Sequence, residues 1–126
     1  MKSAYIHIPF CARKCLYCDF NSFDNKQNLI EDYITALIKE IERYDIKELE
    51  TIYIGGGTPS FIDSKYISKI LSILPMQSAK EITLEVNPGT VNHSKLIEYR
   101  NAGVNRISIG LQTTNNEILK KIGRIH

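Results

Sequence analysis

Four alternations of a short apolar strand with an amphipathic helix constrain the fold of this chain more than any other feature. Strand-like segments are predicted over residues 4–8, 51–54, 81–86 and 105–109. Helical stripes, with apolar residues three and four positions apart, are predicted over residues 28–44, 63–74, 92–101 and 116–122. This order predicts parallel strands joined by helical crossovers, and therefore an α/β fold of repeated βα units.

Cap and turn residues support these boundaries. Asn28, with Glu31 three residues later, resembles a capping box, Asp63 fits an N-cap, and Gly103 fits a C-cap. The run Gly55-Gly56-Gly57-Thr58-Pro59 is predicted to stop the second strand. No linker or low-complexity segment divides the 126 residues, so residues 1–126 are expected to form one domain.

The number of repeats leaves two architectures open. Four βα units can form a small doubly wound sheet, or half of an eight-unit barrel of the TIM type, which needs about 250 residues. The last four residues follow a helix and add no closing strand. We therefore expect a truncated part of a longer protein, and both architectures stay open at this point.

Composition narrows the function classes. The 16 Lys and Arg residues nearly balance the 14 Asp and Glu residues, which argues against a nucleic-acid binder with a dense basic patch. No apolar run reaches the roughly 18–20 residues of a transmembrane segment. The N-terminus has no apolar region of the secretory type, so a cytoplasmic location is expected.

All three cysteines lie in one loop after the first strand, with three and then two residues between Cys11, Cys15 and Cys18. An odd number of thiols cannot all pair within the chain, and we expect them to be reduced. A structural zinc site requires four ligands, and His7 could be the fourth. A thioredoxin-like pair would leave Cys11 unexplained. A cubane iron–sulfur cluster held by three thiolates would leave one iron open to a small chelating molecule, and this is the interpretation we favour.

Further polar residues follow the other strands. The glycine-rich run follows the second strand, Glu85 ends the third, and Gln112 follows the fourth. Taken singly, the glycines are typical of a tight turn and Glu85 of an exposed strand position. The carboxyl ends of parallel strands open at one mouth, so together these residues predict a ligand site there. Tyr5 and Tyr17 are aromatic neighbours of the loop that could equally serve packing, and His7 is expected to be a satisfied strand histidine.

The cysteine spacing is that of radical S-adenosylmethionine proteins. The longer motifs resemble the oxygen-independent coproporphyrinogen III oxidase family within that superfamily, and they occupy residues 5–11, 15–20, 55–60, 85–88 and 110–112. The resemblance runs along the whole chain but covers only the N-terminal part of a family member. It implies the N-terminal half of a radical S-adenosylmethionine core domain, which is a partial TIM-type barrel.

The resemblance also implies roles for particular residues. Cys11, Cys15 and Cys18 would ligate a 4Fe-4S cluster, whose open iron is chelated by S-adenosylmethionine; reduction then yields methionine and a 5′-deoxyadenosyl radical. Contacts to S-adenosylmethionine fall on Tyr5, Gly56, Gly57, Thr58, Glu85, Gln112 and Arg124. Tyr17 matches a position near a second cofactor molecule. No residue is assigned a catalytic role.

One position separates the branches of this family. The oxidases carry a further cysteine two residues after the third ligand, where this chain has Phe20. The Cys-Asp-Phe form is similar to the haem-chaperone branch, which implies haem or a porphyrin and an electron-donor protein as partners. A haem chaperone, a radical oxidase acting on coproporphyrinogen III propionates, and a non-catalytic half-barrel remain the three alternatives.

Overall fold

The computed structural model describes residues 2–124 and residue 126, and it contains four strands and four α-helices in alternation. The strands are β1 (Ser3–Ile8), β2 (Thr51–Gly56), β3 (Glu81–Val86) and β4 (Arg106–Ile109). The helices are α1 (Ile30–Glu42), α2 (Ser64–Ser72), α3 (His93–Asn101) and α4 (Asn116–Lys121). The predicted βα repeats are confirmed, with boundaries shifted by one or two residues.

The four strands form one parallel sheet in the order β1-β2-β3-β4. A doubly wound sheet reverses its strand order at a switch point, whereas a barrel adds each new strand beside the preceding one. The sequential order therefore agrees with the expected N-terminal part of a barrel. The register places Tyr5 beside Tyr53, Tyr53 beside Thr83, and Thr83 beside Arg106.

The hydrophobic core lies between one face of this sheet and the helices. Alternate strand residues point into it, including Ile8, Ile54 and Leu84, each with no exposed surface. Among the helical residues, Ile67 and Tyr99 are equally buried. The opposite face of the sheet is polar, because the intervening strand positions carry tyrosine, histidine, threonine, glutamate and arginine.

Two of the three predicted caps are present. The Asp63 carboxylate accepts a hydrogen bond from the Lys65 backbone N–H at 2.9 Å, as an N-cap does. Gly103 has a φ of +109° directly after α3. The capping box at Asn28 is wrong: a 3₁₀ turn over Gln27–Leu29 precedes α1 and encloses Asn28, so the helix begins beyond its reach.

The second strand is two residues longer than predicted. Gly55 and Gly56 do not stop it, because they continue the parallel ladder opposite His7 and Ile8 of β1. The glycine-rich run thus begins inside the sheet. No helix among residues 2–124 and 126 is long and apolar enough to span a membrane.

Removal of the Leu84 side chain tests the packing of the sheet on the helices. Leu84→Ala should lower the free energy of unfolding by about 2–5 kcal/mol, because a fully buried side chain leaves a cavity. Ile73→Ala is the control; Ile73 is 37% exposed and should cost about 1 kcal/mol or less. Urea denaturation measures both. Equal losses in the two variants would show that Leu84 does not lie in the core.

Candidate cofactor site

A cavity of about 350 Å³ opens at the carboxyl ends of the strands. It gathers all the predicted site residues except Tyr5. These are Cys11, Cys15, Tyr17, Cys18, Gly56, Gly57, Thr58, Glu85, Gln112 and Arg124. The position agrees with the rule that parallel α/β sheets bind ligands beyond the carboxyl ends of their strands.

The cysteine loop is fixed at its base and in its middle. Phe10 and Phe23 form an isolated parallel bridge, in which the Cys11 backbone N–H donates to the Phe23 carbonyl at 2.9 Å. Further along, the Leu16 N–H donates to the Ile122 carbonyl at the end of α4, at 3.2 Å. The loop is therefore tied both to the strand it leaves and to the last helix.

The three thiols are free and line the same cavity. Cys11 is 7% exposed, while Cys15 and Cys18 are half-buried. The Thr58 hydroxyl donates to Cys11 Sγ, and the Arg124 guanidinium donates to Cys15 Sγ, each at 3.6 Å. Donors of this kind stabilise a thiolate, which is the form that binds metal.

The arrangement of the potential metal ligands distinguishes a zinc site from an iron–sulfur cluster. Among the described residues, no group of three or more His, Cys, Asp and Glu side chains converges on one point as a single ion would require. In a cubane cluster each thiolate binds a different iron, so no such convergence is needed. His7 is not a spare ligand either, because its ring nitrogens contact the Tyr5 hydroxyl at 3.0 Å and the Asn21 carbonyl at 2.8 Å.

The glycine-rich run packs directly against the cysteine loop. A Cβ added to Gly57 would lie 2.9 Å from both Cys11 Sγ and the Phe10 carbonyl oxygen. Gly56 has a φ of +121°, which side-chain-bearing residues rarely adopt. The run is therefore required for close backbone approach, and the alternative of a simple tight turn does not describe it.

Glu85 is held by two donors at the cavity wall. Its Oε1 accepts a hydrogen bond from the Tyr53 hydroxyl at 2.6 Å, and its Oε2 accepts one from the Gly56 N–H at 3.1 Å. Glu85 is half-buried, so the single-residue interpretation of an exposed strand position is wrong. Tyr53 was not predicted. Its sequence signal is weak, because only the strand register shows that it lies on the same face as Glu85.

A further part of the cavity wall is formed by the segment after β4 and by Arg124. Gln112 has a φ of +65°, a strained conformation for a side-chain-bearing residue and one often found at ligand sites. Arg124 donates to the Gly110 carbonyl and, at 3.5 Å, to the Tyr17 hydroxyl. Its buried Nε has no partner among the residues that the structure describes. Ser108, which sequence reasoning missed, lines the same wall beside Glu85 in the register.

Tyr5 does not line the cavity. Its hydroxyl contacts His7, and its ring stacks on Tyr53 with 6.0 Å between centroids. Burial is the main reason why the pKa of Tyr5 is raised, and the Glu85 charge adds to the shift. A direct contact from Tyr5 to a cofactor stays a prediction.

Thiol reactivity tests the contact between Gly57 and Cys11. With a chromogenic disulfide reagent, two thiols should react quickly and the buried Cys11 slowly. Gly57→Ala should make the slow thiol about tenfold faster, because overpacking costs about 1–3 kcal/mol and opens the loop. Gly89→Ala is the matched control, since its Cβ would meet only His126 and Asn87. An unchanged slow phase in Gly57→Ala would contradict the close approach.

Comparisons with known proteins agree with this geometry. The family model of the Radical SAM superfamily matches residues 5–126. The chain is 45% identical to the heme chaperone HemW of Escherichia coli and 40% identical to that of Bacillus subtilis, over 98% and 100% of its own length. It spans about a third of these relatives, 35% and 36% respectively.

A solved structure gives the same result for the fold. The coproporphyrinogen III oxidase HemN of Escherichia coli, described as a radical SAM enzyme, is 30% identical and superimposes with a TM-score of 0.87. The match covers 99% of this chain and 31% of that one. Since a single family model matches nearly the whole sequence, this chain belongs to the radical SAM superfamily.

Proposed function

We propose that this chain is the cofactor-binding part of a haem chaperone that carries a 4Fe-4S cluster and binds S-adenosylmethionine. The observation that supports the proposal is one cavity lined by three free thiols together with Glu85, Arg124 and the glycine-rich run. The similarity to proteins named heme chaperone HemW supports the chaperone role.

The thiols fit the cluster. Cys11, Cys15 and Cys18 would be its ligands, and the hydroxyl and guanidinium donors beside two of the sulfurs would compensate thiolate charge. When bound, the cluster supplies the electron that cleaves S-adenosylmethionine. The protein's own part is to hold the ligands in a fixed loop and to limit access of water to Cys11.

The polar residues fit S-adenosylmethionine, whose methionine end is a zwitterion. Glu85 can only accept hydrogen bonds and suits an ammonium or hydroxyl group, whereas Arg124 can only donate and suits a carboxylate. Gly56, Gly57 and Thr58 lie at the same cavity and would contact the methionine end. Gln112 would provide a further contact, and Tyr17 would face a second small molecule.

The choice of chaperone over oxidase depends on Phe20. This side chain lines the cavity and is 66% exposed, so an apolar ring stands where the oxidases have a cysteine. An exposed ring beside the cluster loop suits a flat aromatic ligand such as haem. The structural match to a coproporphyrinogen III oxidase supports radical decarboxylation as the second candidate function.

Loss of one thiol tests the cluster. Cys15→Ala should abolish the brown chromophore after anaerobic reconstitution, because only two ligands remain. Ser72→Ala on the outer helix α2 is the control and should keep the full absorbance of the unaltered protein. Iron and sulfide analysis of each sample gives the occupancy. Full absorbance in Cys15→Ala would overturn the ligand assignment.

Haem titration separates the two candidate functions. The cluster-loaded protein should bind one haem per chain, with a saturable change in the Soret absorbance. Under anaerobic conditions with reductant and S-adenosylmethionine, it should leave coproporphyrinogen III unchanged. Absence of a haem spectrum under all conditions, or formation of the decarboxylated product, would contradict the chaperone proposal. Cluster-free Cys15→Ala serves as the background for both measurements.

A further inference from the structure

We propose that Tyr53 is a positioning residue that fixes the Glu85 carboxylate in the orientation in which Glu85 binds S-adenosylmethionine. The inference rests on the proposed function, since it concerns binding of that ligand. Tyr53 itself does not line the cavity, but its hydroxyl donates to Glu85, which does. It would therefore influence ligand binding indirectly, by holding Glu85.

The register of the sheet creates the contact. Tyr53 on β2 lies beside Thr83 on β3, and Glu85 follows two residues later on the same face. The Tyr53 hydroxyl donates to Glu85 Oε1 at 2.6 Å, and the Gly56 N–H donates to Oε2 at 3.1 Å. Each carboxylate oxygen thus has its own donor, and the two donors come from the same neighbouring strand. The carboxylate plane is fixed by both bonds together.

This arrangement prepares Glu85 for a ligand that donates. A free glutamate side chain rotates about three bonds, and a ligand would have to order it on binding. With one donor already on each oxygen, the remaining lone pairs are available to the cavity without further ordering. They can accept only from donors, such as ribose hydroxyls or an ammonium group. Tyr53 therefore contributes to affinity by preorganisation.

Two further features keep Tyr53 in its role as a donor. Its pKa is raised, first by the hydrogen bond to Glu85 and then by burial, so the phenol keeps its proton at neutral pH. Its ring stacks on Tyr5 with an interplanar angle of 23°, and the Tyr5 hydroxyl is in turn held by His7. These contacts limit the freedom of the Tyr53 ring.

Calorimetric titration with S-adenosylmethionine tests the inference in the reconstituted protein with its cluster oxidised. Tyr53→Phe keeps the ring and removes only the donor, and it should raise Kd about tenfold, as expected for a hydrogen bond to a charged group. Tyr44→Phe removes a phenol that is 64% exposed at the end of α1, and it should bind like the unaltered protein. Iron content and Tm should stay unchanged in both variants.

A double-mutant cycle separates positioning from a general structural effect. In a Glu85→Ala background, Tyr53→Phe should change Kd less than twofold, because the partner it positions is gone. If Glu85→Ala binds too weakly to titrate, Glu85→Gln replaces it. The Tyr53→Phe effect should then be smaller than in the unaltered protein, because a neutral acceptor forms a weaker bond than a carboxylate.

The outcomes distinguish this inference from the proposed function. If the unaltered, iron-loaded protein binds S-adenosylmethionine and Tyr53→Phe binds equally well, Tyr53 has no positioning role and the proposed function stands. If Tyr53→Phe weakened S-adenosylmethionine binding equally with and without the Glu85 substitution, the inference would also be overturned, because the effect would not depend on Glu85. If the unaltered protein does not bind S-adenosylmethionine at all, the proposed function fails, and the inference fails with it.

Discussion

The site depends on the pairing of β1 with β2 as far as the last residues of both strands. His7 and Ile8 pair with Gly55 and Gly56, so the two strands end side by side. Directly beyond them, the Gly57 N–H donates to the Ile8 carbonyl and the Thr58 N–H to the Phe10 carbonyl, both at 2.9 Å. Backbone bonds therefore join the glycine-rich run to the start of the cysteine loop. A Cβ on Gly57 would lie 2.9 Å from Cys11 Sγ and the Phe10 carbonyl oxygen, so a larger side chain there would push the two segments apart.

A second set of bonds joins the loops after β2 and β3. The Ser60 hydroxyl accepts from the buried Asn87 N–H at 3.0 Å and contacts the Thr90 hydroxyl at 2.5 Å. Lys95 donates to carbonyls of both loops, and burial lowers its pKa. The serine and asparagine of the sequence motifs thus hold the loops together. Glu85 is consequently held near the glycine-rich run, although paired residues of β2 and β3 are 30 positions apart in the chain.

Much of the fold and part of the site were predictable from local sequence. The apolar stripe and the Asp63 cap predicted α2, because periodicity and caps are encoded within a few residues. The alternation of strands and helices predicted the parallel sheet. The convergence of the thiols, Glu85 and Gln112 followed from the geometry of parallel strands, whereas Arg124 was expected only from the family resemblance. Tyr53 escaped prediction because its role depends on cross-strand register, which alternation alone does not set. The capping box failed because Asn28 is in a 3₁₀ turn that the polar pattern does not distinguish from a helix start.

The most direct test concerns the fourth iron of the proposed cluster, which three thiolates would leave without a protein ligand. The reconstituted protein should be reduced anaerobically, and its electron paramagnetic resonance spectrum recorded before and after addition of S-adenosylmethionine. We expect about four irons per chain and a cluster signal whose g values shift when the ligand is added. An iron-free protein, or a cluster signal that S-adenosylmethionine leaves unchanged, would contradict a cluster that exposes one iron to this ligand.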